Sequence, residues 1–457
     1  MYGTLGVGLF GLVACGGGDA REVFDAAAVD GAARDSGTRD ATTGSDAARV
    51  DGASSLSLSD AASVDAAAPG HAIHWGDVDV DPLGPCSVVY DVPPAIDATG
   101  TVEISTALMT WLAALPPATR AAPACVRFAA SGTYWMDYTL LLRKRVGASG
   151  GISGRVWPDL PAFDRSFTRF ELNGATLEQR TTLDDDRAFY GLPLVFTAGA
   201  HDLELTGGTL TSSHTEADGY RPAREDWTGV RITGDANEPV VENIWLHDLA
   251  IRHVWGDFVY LVSATATGHE LRDVVIEDCA MQDAGRQGIV LHGGTRVAIR
   301  RNQLRDVERF LFDSETTPGQ GWQYVSITGN SGHSGDLGYL QHNGMNRSTG
   351  DHLELVDNTI DVGVFRLCLE ADELTPRRGF RFVGNRNIGA MVFRSNTICP
   401  AVVRLLSWDE VEITDNLQAV DPAAMINAVR LGGTPPLTAT VERNCWPGAL
   451  DDSCPAP

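Results

Sequence analysis

Apolar residues alternate with polar ones in short runs that return along most of the chain, the later ones ending three residues before an asparagine. The run Arg296-Val297-Ala298-Ile299-Arg300-Arg301-Asn302-Gln303-Leu304 shows the pattern most fully. Earlier copies lie at Phe170/Leu172, Leu203/Leu205, Ile244/Leu246 and Val274/Ile276. Later copies lie at Val325/Ile327/Asn330, Leu353/Leu355/Asn358, Phe380/Phe382/Asn385 and Val411/Ile413/Asn416. From Ile244 onward they are roughly 23 to 31 residues apart, a spacing typical of solenoids. Period-two alternation makes each copy a strand, and the runs are too brief for helices. A unit of this size cannot bury its own apolar face, so successive units must stack. Strands separated by turns, with no helices between them, specify a parallel β-helix. Asparagine tolerates the left-handed backbone of a sharp turn, so the repeated amides are expected to stack as a structural ladder.

A second set of strands carries the candidate chemistry. It reads Phe258-Val259-Tyr260-Leu261, Gly288-Ile289-Val290-Leu291, Leu311-Phe312-Asp313-Ser314-Glu315, Gly338-Tyr339-Leu340-Gln341 and Arg366-Leu367-Cys368-Leu369-Glu370. With Val259, Ile289, Phe312, Leu340 and Leu369 inside, Tyr260, Val290, Asp313, Gln341 and Glu370 form one outward row. His292, Glu315, Asn343 and Asp372 form a second. Adjacent coils lie about 4.8 Å apart, so Asp313, Glu315, Glu370 and Asp372 are expected to gather on one face. Crowded carboxylates raise one another's pKa or bind a hard cation, and Ca²⁺ is the expected one. Just before these strands come Trp255-Gly256-Asp257, Gly285-Arg286-Gln287 and Glu308-Arg309-Phe310, a register that stacks Arg286 on Arg309. Asp257, Arg286, His292, Arg309, Asp313 and Glu315 are therefore the catalytic candidates. Trp255, Tyr260, Gln287 and Gln341 are the candidates for holding a sugar. His333, within Ser331-Gly332-His333-Ser334-Gly335-Asp336, reads as a turn residue.

The ends of the chain differ in character. Residues 1–15 run from Leu5 to Val13 as an apolar segment too short to span a membrane, closing on Leu12-Val13-Ala14-Cys15. That closing tetrapeptide resembles a bacterial lipobox, which implies acylation of Cys15 and display at the outer membrane or cell surface, or secretion. Residues 16–70 are rich in Ala, Asp, Ser and Gly and offer almost nothing to bury, so they are expected to be a disordered tether. Residues 71–168 read as an N-terminal cap and first strands, 169–420 as the β-helix, and 421–457, where the repeat fades, as a C-terminal cap. Val102, Ile104, Leu108, Trp111, Leu112 and Leu115 recur at helical spacing before Pro116-Pro117, predicting a capping helix over 101–115.

After that helix come Cys125-Val126-Arg127-Phe128, Gly132-Thr133-Tyr134 and Phe170-Glu171-Leu172-Asn173-Gly174-Ala175-Thr176-Leu177. This order of motifs resembles the pectate-lyase-like superfamily of right-handed parallel β-helices over roughly residues 90–420. The resemblance implies fold more firmly than activity. Asp257 resembles a catalytic aspartate of polygalacturonases, and Arg286-Gln287-Gly288-Ile289 stands where those enzymes carry Gly-His-Gly. The neighbouring Asp pair and the His are missing. The combination of Gly256-Asp257, Arg286-Gln287-Gly288-Ile289 and Phe312-Asp313 instead resembles bacterial β-helix proteins of unassigned activity.

Charge narrows the partners. The 457 residues carry 35 Lys and Arg against 60 Asp and Glu, a net charge of −25 that repels nucleic acid and anionic lipid. A polysaccharide is the expected partner, with the membrane reached only through the lipid and the protein a monomer. The single lysine, Lys144, lies far from the repeats that carry the acids, which leaves His292 as the ordinary base and the arginines to neutralise a uronate. Lyase-type cleavage of an acidic glycan is thus the favoured activity. A non-catalytic adhesin and a polygalacturonase-like hydrolase are the alternatives. The eight cysteines show no zinc spacing. Cys86–Cys125 and Cys445–Cys454 are expected disulfides, and Cys279 a buried free thiol.

Overall fold

The computed structural model describes residues 78, 80, 83–144, 157, 159–180, 193–233, 240–263, 270–314, 321–334, 338–342, 349–362, 367–370, 377–387, 403–406, 408–418, 429–432 and 438–445. Strands run Val88–Asp91, Thr99–Glu103 and onward to Ala439–Glu442, and from Thr168–Glu171 on every third strand joins the same sheet. Three long sheets result, of twelve, eleven and ten strands, here called the first, second and third. Neighbours in each pair in parallel, as between Val240–His247 and Glu270–Glu277 or between Val259–Val262 and Ile289–Leu291. The chain is a right-handed parallel β-helix, as the repeat predicts. Its interior is one continuous core in which Phe170, Ile244, Val274, Ile299, Val325, Leu355 and Phe382 are at most 1% exposed.

The asparagine ladder lies at the corner between the first and second sheets. The backbone N–H of Asn302 donates to Oδ1 of Asn330 at 2.9 Å, and its Nδ2 donates both to that oxygen and to the carbonyl of Ile276. Asn330, Asn358, Asn385 and Asn416 repeat the arrangement, and Asn444 closes it. Each amide sits behind a residue in the left-handed region, Arg301, Asp357 and Asp415 among them. Every amide is buried, so each must be satisfied internally, and the ladder satisfies them with one another. Cys279 fills the same slot one coil earlier and donates its N–H to Asn302 Oδ1. It is a buried free thiol, with burial pushing its pKa up to about 12.

Three expectations change. The coil continues beyond residue 420: Val429–Gly432 and Ala439–Glu442 extend the third and first sheets, and Arg443-Asn444 repeats the turn. The helix is shorter than predicted, Ser105–Ala114, with Leu108, Met109 and Leu112 buried. Thr99–Glu103 is a strand because the Asp97 carboxylate accepts the N–H groups of Thr99, Thr101 and Val102 and holds them extended, leaving Val102 58% exposed. His333 is in no turn; it belongs to the strand Ser331–Ser334 of the second sheet. Cys86 and Cys125 form a disulfide, and Cys445 is disulfide-bonded to a residue outside the described ones.

Because each ladder amide serves two neighbours, Asn358→Ala orphans the N–H of Asn330 and the carbonyl of Ile327 together. The substitution is expected to cost on the order of 3 kcal/mol, at about 1–3 kcal/mol per orphaned group. Urea unfolding checks this against Thr359→Ala at the exposed neighbour, expected to shift stability by under about 0.5 kcal/mol.

Candidate functional site

The turn between the second and third sheets takes up Trp255–Asp257, Gly285–Gln287 and Glu308–Arg309 on successive coils. One coil earlier the same corner carries the long stretch 212–229, which folds back across them. Two glycines admit it: a Cβ on Gly285 would lie 2.8 Å from His214 Nε2, and one on Gly256 would collide with the Glu225 carbonyl. His214 is buried and its Nδ1 lies 2.7 Å from Asp283 Oδ1, while the exposed His253 reaches the other oxygen at 2.7 Å. Burial alone would raise the pKa of Asp283, but the hydrogen bonds from His214 and His253 outweigh it and bring it down to about 2. The guanidinium of Arg224 lies 4.1 Å from the Trp255 ring centre, that of Arg221 5.0 Å, and that of Arg309 5.2 Å from the Tyr220 ring. Tyr220 donates its hydroxyl to Glu225 at 2.9 Å; burial and that carboxylate push the phenol up to about 12.

Beneath this flap lie several residues expected to face substrate. Asp257 is 0% exposed, its carboxylate held by Arg286 Nη1 at 3.1 Å and by the N–H of Gln287 at 3.1 Å. Arg286 also approaches Glu225 at 3.6 Å. Gln287 is 0% exposed, Trp255 5% and Arg286 7%. Arg286 and Arg309 do stack, the N–H of Arg309 donating to the Arg286 carbonyl. The geometry therefore makes Asp257 and Arg286 a buried ion pair under the flap rather than a base and a uronate clamp in a groove.

Register on the third sheet places the remaining calls. Arg231, Tyr260, Val290, Asp313 and Gln341 are successive partners in one row. The next partner of Gln341 is Cys368, because Leu340 pairs with Leu367 and not with Leu369. Glu370 is thus displaced two residues along the strand from the register position of the Asp313 row. Asp313 is 1% exposed. Glu315, Asp372 and Cys15 lie outside the described residues, and of Gln341 and Glu370 only the backbone positions are described. Of the predicted acidic Ca²⁺ set, only Asp313 has its side chain among the described residues. Among those residues the one tight group of potential ligands is Cys86, Cys125 and Glu171, and its two cysteines are consumed by their disulfide. The aromatics divide likewise: Trp322 and Trp408 are core residues, and Tyr260 is half-buried on the outer face.

What the outer face does assemble is a base, a phenol and a cation. The Tyr260 hydroxyl lies 3.0 Å from His292 Nε2, with ring centres 4.9 Å apart. Arg231 spans the other side of the Tyr260 ring at 5.0 Å and approaches Asp226 at 3.9 Å. Arg231 was legible: Gly229-Val230-Arg231-Ile232 repeats the alternation of Gly288-Ile289-Val290-Leu291 one coil earlier than the strands compared. Asp283 was not, since its contact with His214 depends on where the flap lands.

No family model matches the sequence, and no curated protein matches it. Solved structures do: the endo-xylogalacturonan hydrolase from Aspergillus tubingensis, at 13% identity and a TM-score of 0.44, covers 78% of this chain and 100% of its own. A lacto-N-biosidase from Eubacterium ramulus, at 12% identity and a TM-score of 0.42, covers 79% of this chain and 68% of its own. PfbA, a surface adhesin of Streptococcus pneumoniae, at 10% identity and a TM-score of 0.39, covers 77% and 93%. Likeness at this level carries no activity across.

Two tests follow from the flap. Removing one partner of the buried pair, by Asp257→Ala, is expected to cost about 3–5 kcal/mol in urea unfolding, against under about 1 kcal/mol for a surface ion pair such as Arg443–Asp415. Asp283 has a depressed pKa in the folded state, so its contribution is full above the unfolded value near pH 4 and is lost as pH falls toward about 2. Asp283→Asn is therefore expected to flatten the decline in stability over that window in acid titrations followed by tryptophan fluorescence.

Proposed function

We propose that the protein is a surface-displayed polysaccharide lyase whose reacting groups are His292 and Tyr260 on the outer face of the third sheet. The observation that carries this reading is the 3.0 Å contact between the Tyr260 hydroxyl and His292 Nε2. β-Elimination from a uronate needs a base for the C5 proton, an acid for the departing glycosidic oxygen and a positive charge beside the carboxylate. His292 Nε2 takes the proton, the Tyr260 hydroxyl gives one to the leaving oxygen, and Arg231, at 5.0 Å from the tyrosine ring, offers a guanidinium that pairs bidentately with a carboxylate. A Ca²⁺ ion bound by carboxylates such as Glu315 and Asp372 would add charge neutralisation at the uronate, and no step above requires it.

Retaining or inverting hydrolysis is less well supported. It needs two carboxyl groups facing the scissile bond, and Asp257 and Asp313 are at most 1% exposed. Their burial favours a second reading, a non-catalytic glycan-binding surface protein using the same face. The sequence supports display at the bacterial surface through a lipid on Cys15, with residues 16–70 as the tether and a monomer as the working form.

Incubating the protein with a panel of polyuronates, with and without Ca²⁺, and following absorbance of unsaturated ends separates the readings. Lyase chemistry predicts product, a loss of about 10²–10⁴-fold in kcat for His292→Ala and Tyr260→Phe, and a raised KM for Arg231→Ala. Retention of polyuronate without any product, weakened by Arg231→Ala, establishes the binding protein instead.

A further inference from the structure

We propose that the outer face of the second sheet carries another saccharide site, one that takes a neutral, hydroxyl-rich ring rather than a uronate. The face holds an open groove of about 400 Å³ lined by Arg305, Asp306, Ser331, His333, Thr359 and Asp361. Three successive coils supply it. Gln303, Ser331 and Thr359 are partners in register, as are His333 and Asp361. The groove is on a different sheet from His292 and depends on none of its residues.

Its polar groups are set before any ligand arrives. Asp306 sits in the left-handed region at φ 54, stacked beyond His253 and Asp283 at φ 56 and 66, so a bulge in each strand turns the same position outward. Gln282 donates to Asp306 Oδ2 at 3.0 Å, and His333 Nδ1 stands 3.6 Å from Asp306 Oδ1. Donors and acceptors are mixed across three coils: the guanidinium of Arg305 and the carboxylate of Asp306 on the first, the imidazole of His333 on the second, the carboxylate of Asp361 on the third.

Charge and spacing decide the ligand class. Beside His333 the lining carries one arginine and two aspartates, and the protein as a whole has a net charge of −25, so an anion gains little here. A single cation does not fit either. Asp306 and Asp361 are two coils apart, roughly 10 Å at about 4.8 Å per coil, whereas Ca²⁺ needs oxygens at about 2.3–2.6 Å. Hydroxyl groups both give and accept hydrogen bonds, so a sugar ring matches a mixed lining of donors and acceptors that no point charge satisfies. The side-chain hydroxyls of Ser331 and Thr359 add two more such partners beside it. Among the described residues no aromatic ring lines the groove, so its selectivity rests on these polar contacts.

Affinity electrophoresis of the full chain in gels containing neutral glucan, xylan or galactan, with polyuronate gels alongside, tests the assignment. At least one neutral polymer is expected to retard the protein. His333→Ala and Asp361→Asn are expected to weaken that retardation at least 10-fold while leaving thermal midpoint and behaviour toward polyuronate unchanged. Ser331→Trp, which fills the groove and removes no charge, is expected to do the same. Mobility unaffected by every neutral polymer overturns the proposal, as does equal retardation of the variants. Retardation lost in His292→Ala instead also overturns it, by moving the binding to the third sheet.

Discussion

The structure rests on register between coils, and the register is held by buried amides bonded to one another and to the main chain of the preceding coil. Each ladder asparagine spends its side-chain oxygen on the coil before it and its side-chain nitrogen partly on the coil after. A coil slipped by one residue would break those bonds on both sides and turn its apolar set outward. The penalty is paid at the corner, but the benefit is collected elsewhere: on the outer faces, residues some 30 positions apart in sequence become neighbours at about 4.8 Å. Arg231 beside Tyr260, and His333 beside Asp361, are consequences of that stacking.

On this regular frame one irregular segment decides which outward residues remain available. The flap over the second corner covers Asp257, Arg286 and Gln287, which bond to one another, and its Glu225 approaches Arg286. It is fastened through His214 to Asp283 two coils on and through Tyr220 to Arg309 further still. Groups with chemical promise by type thus become structural by position, and the open chemistry moves to Tyr260 and His292. The same frame leaves the second sheet without such a cover at Arg305 and His333, both exposed.

The sequence carried the fold because both of its signals are local. Alternation identifies strands, and an asparagine at a fixed distance after them identifies the turn; neither needs knowledge of a partner. The rows on the third sheet followed as far as Gln341 for the same reason. They failed at Glu370 because Leu367 and Leu369 are equally apolar, and alternation cannot choose between two inward candidates of the same parity. The last coil was missed although Arg443-Asn444 repeats Arg301-Asn302, since the surrounding prolines and the short run Ala439–Val441 dilute the pattern. Burial of Asp257 and Asp313 was illegible in a stronger sense. Whether an outward residue meets water depends on a segment from another coil, and nothing within its own strand records that.

The claim that everything else depends on is that coils meet in the register placing Arg231 directly beside Tyr260 on an outer face. A cross-link measures it most directly: Arg231→Cys with Tyr260→Cys, oxidised and mapped by peptide mass spectrometry. Paired partners on adjacent parallel strands fall within the 4.4–6.8 Å Cα separation a disulfide accepts, whereas Arg231→Cys with Val262→Cys, one step along, lies beyond about 7 Å. The account predicts near-complete closure of the first pair and none of the second. Closure of the second pair, or of neither, would contradict it.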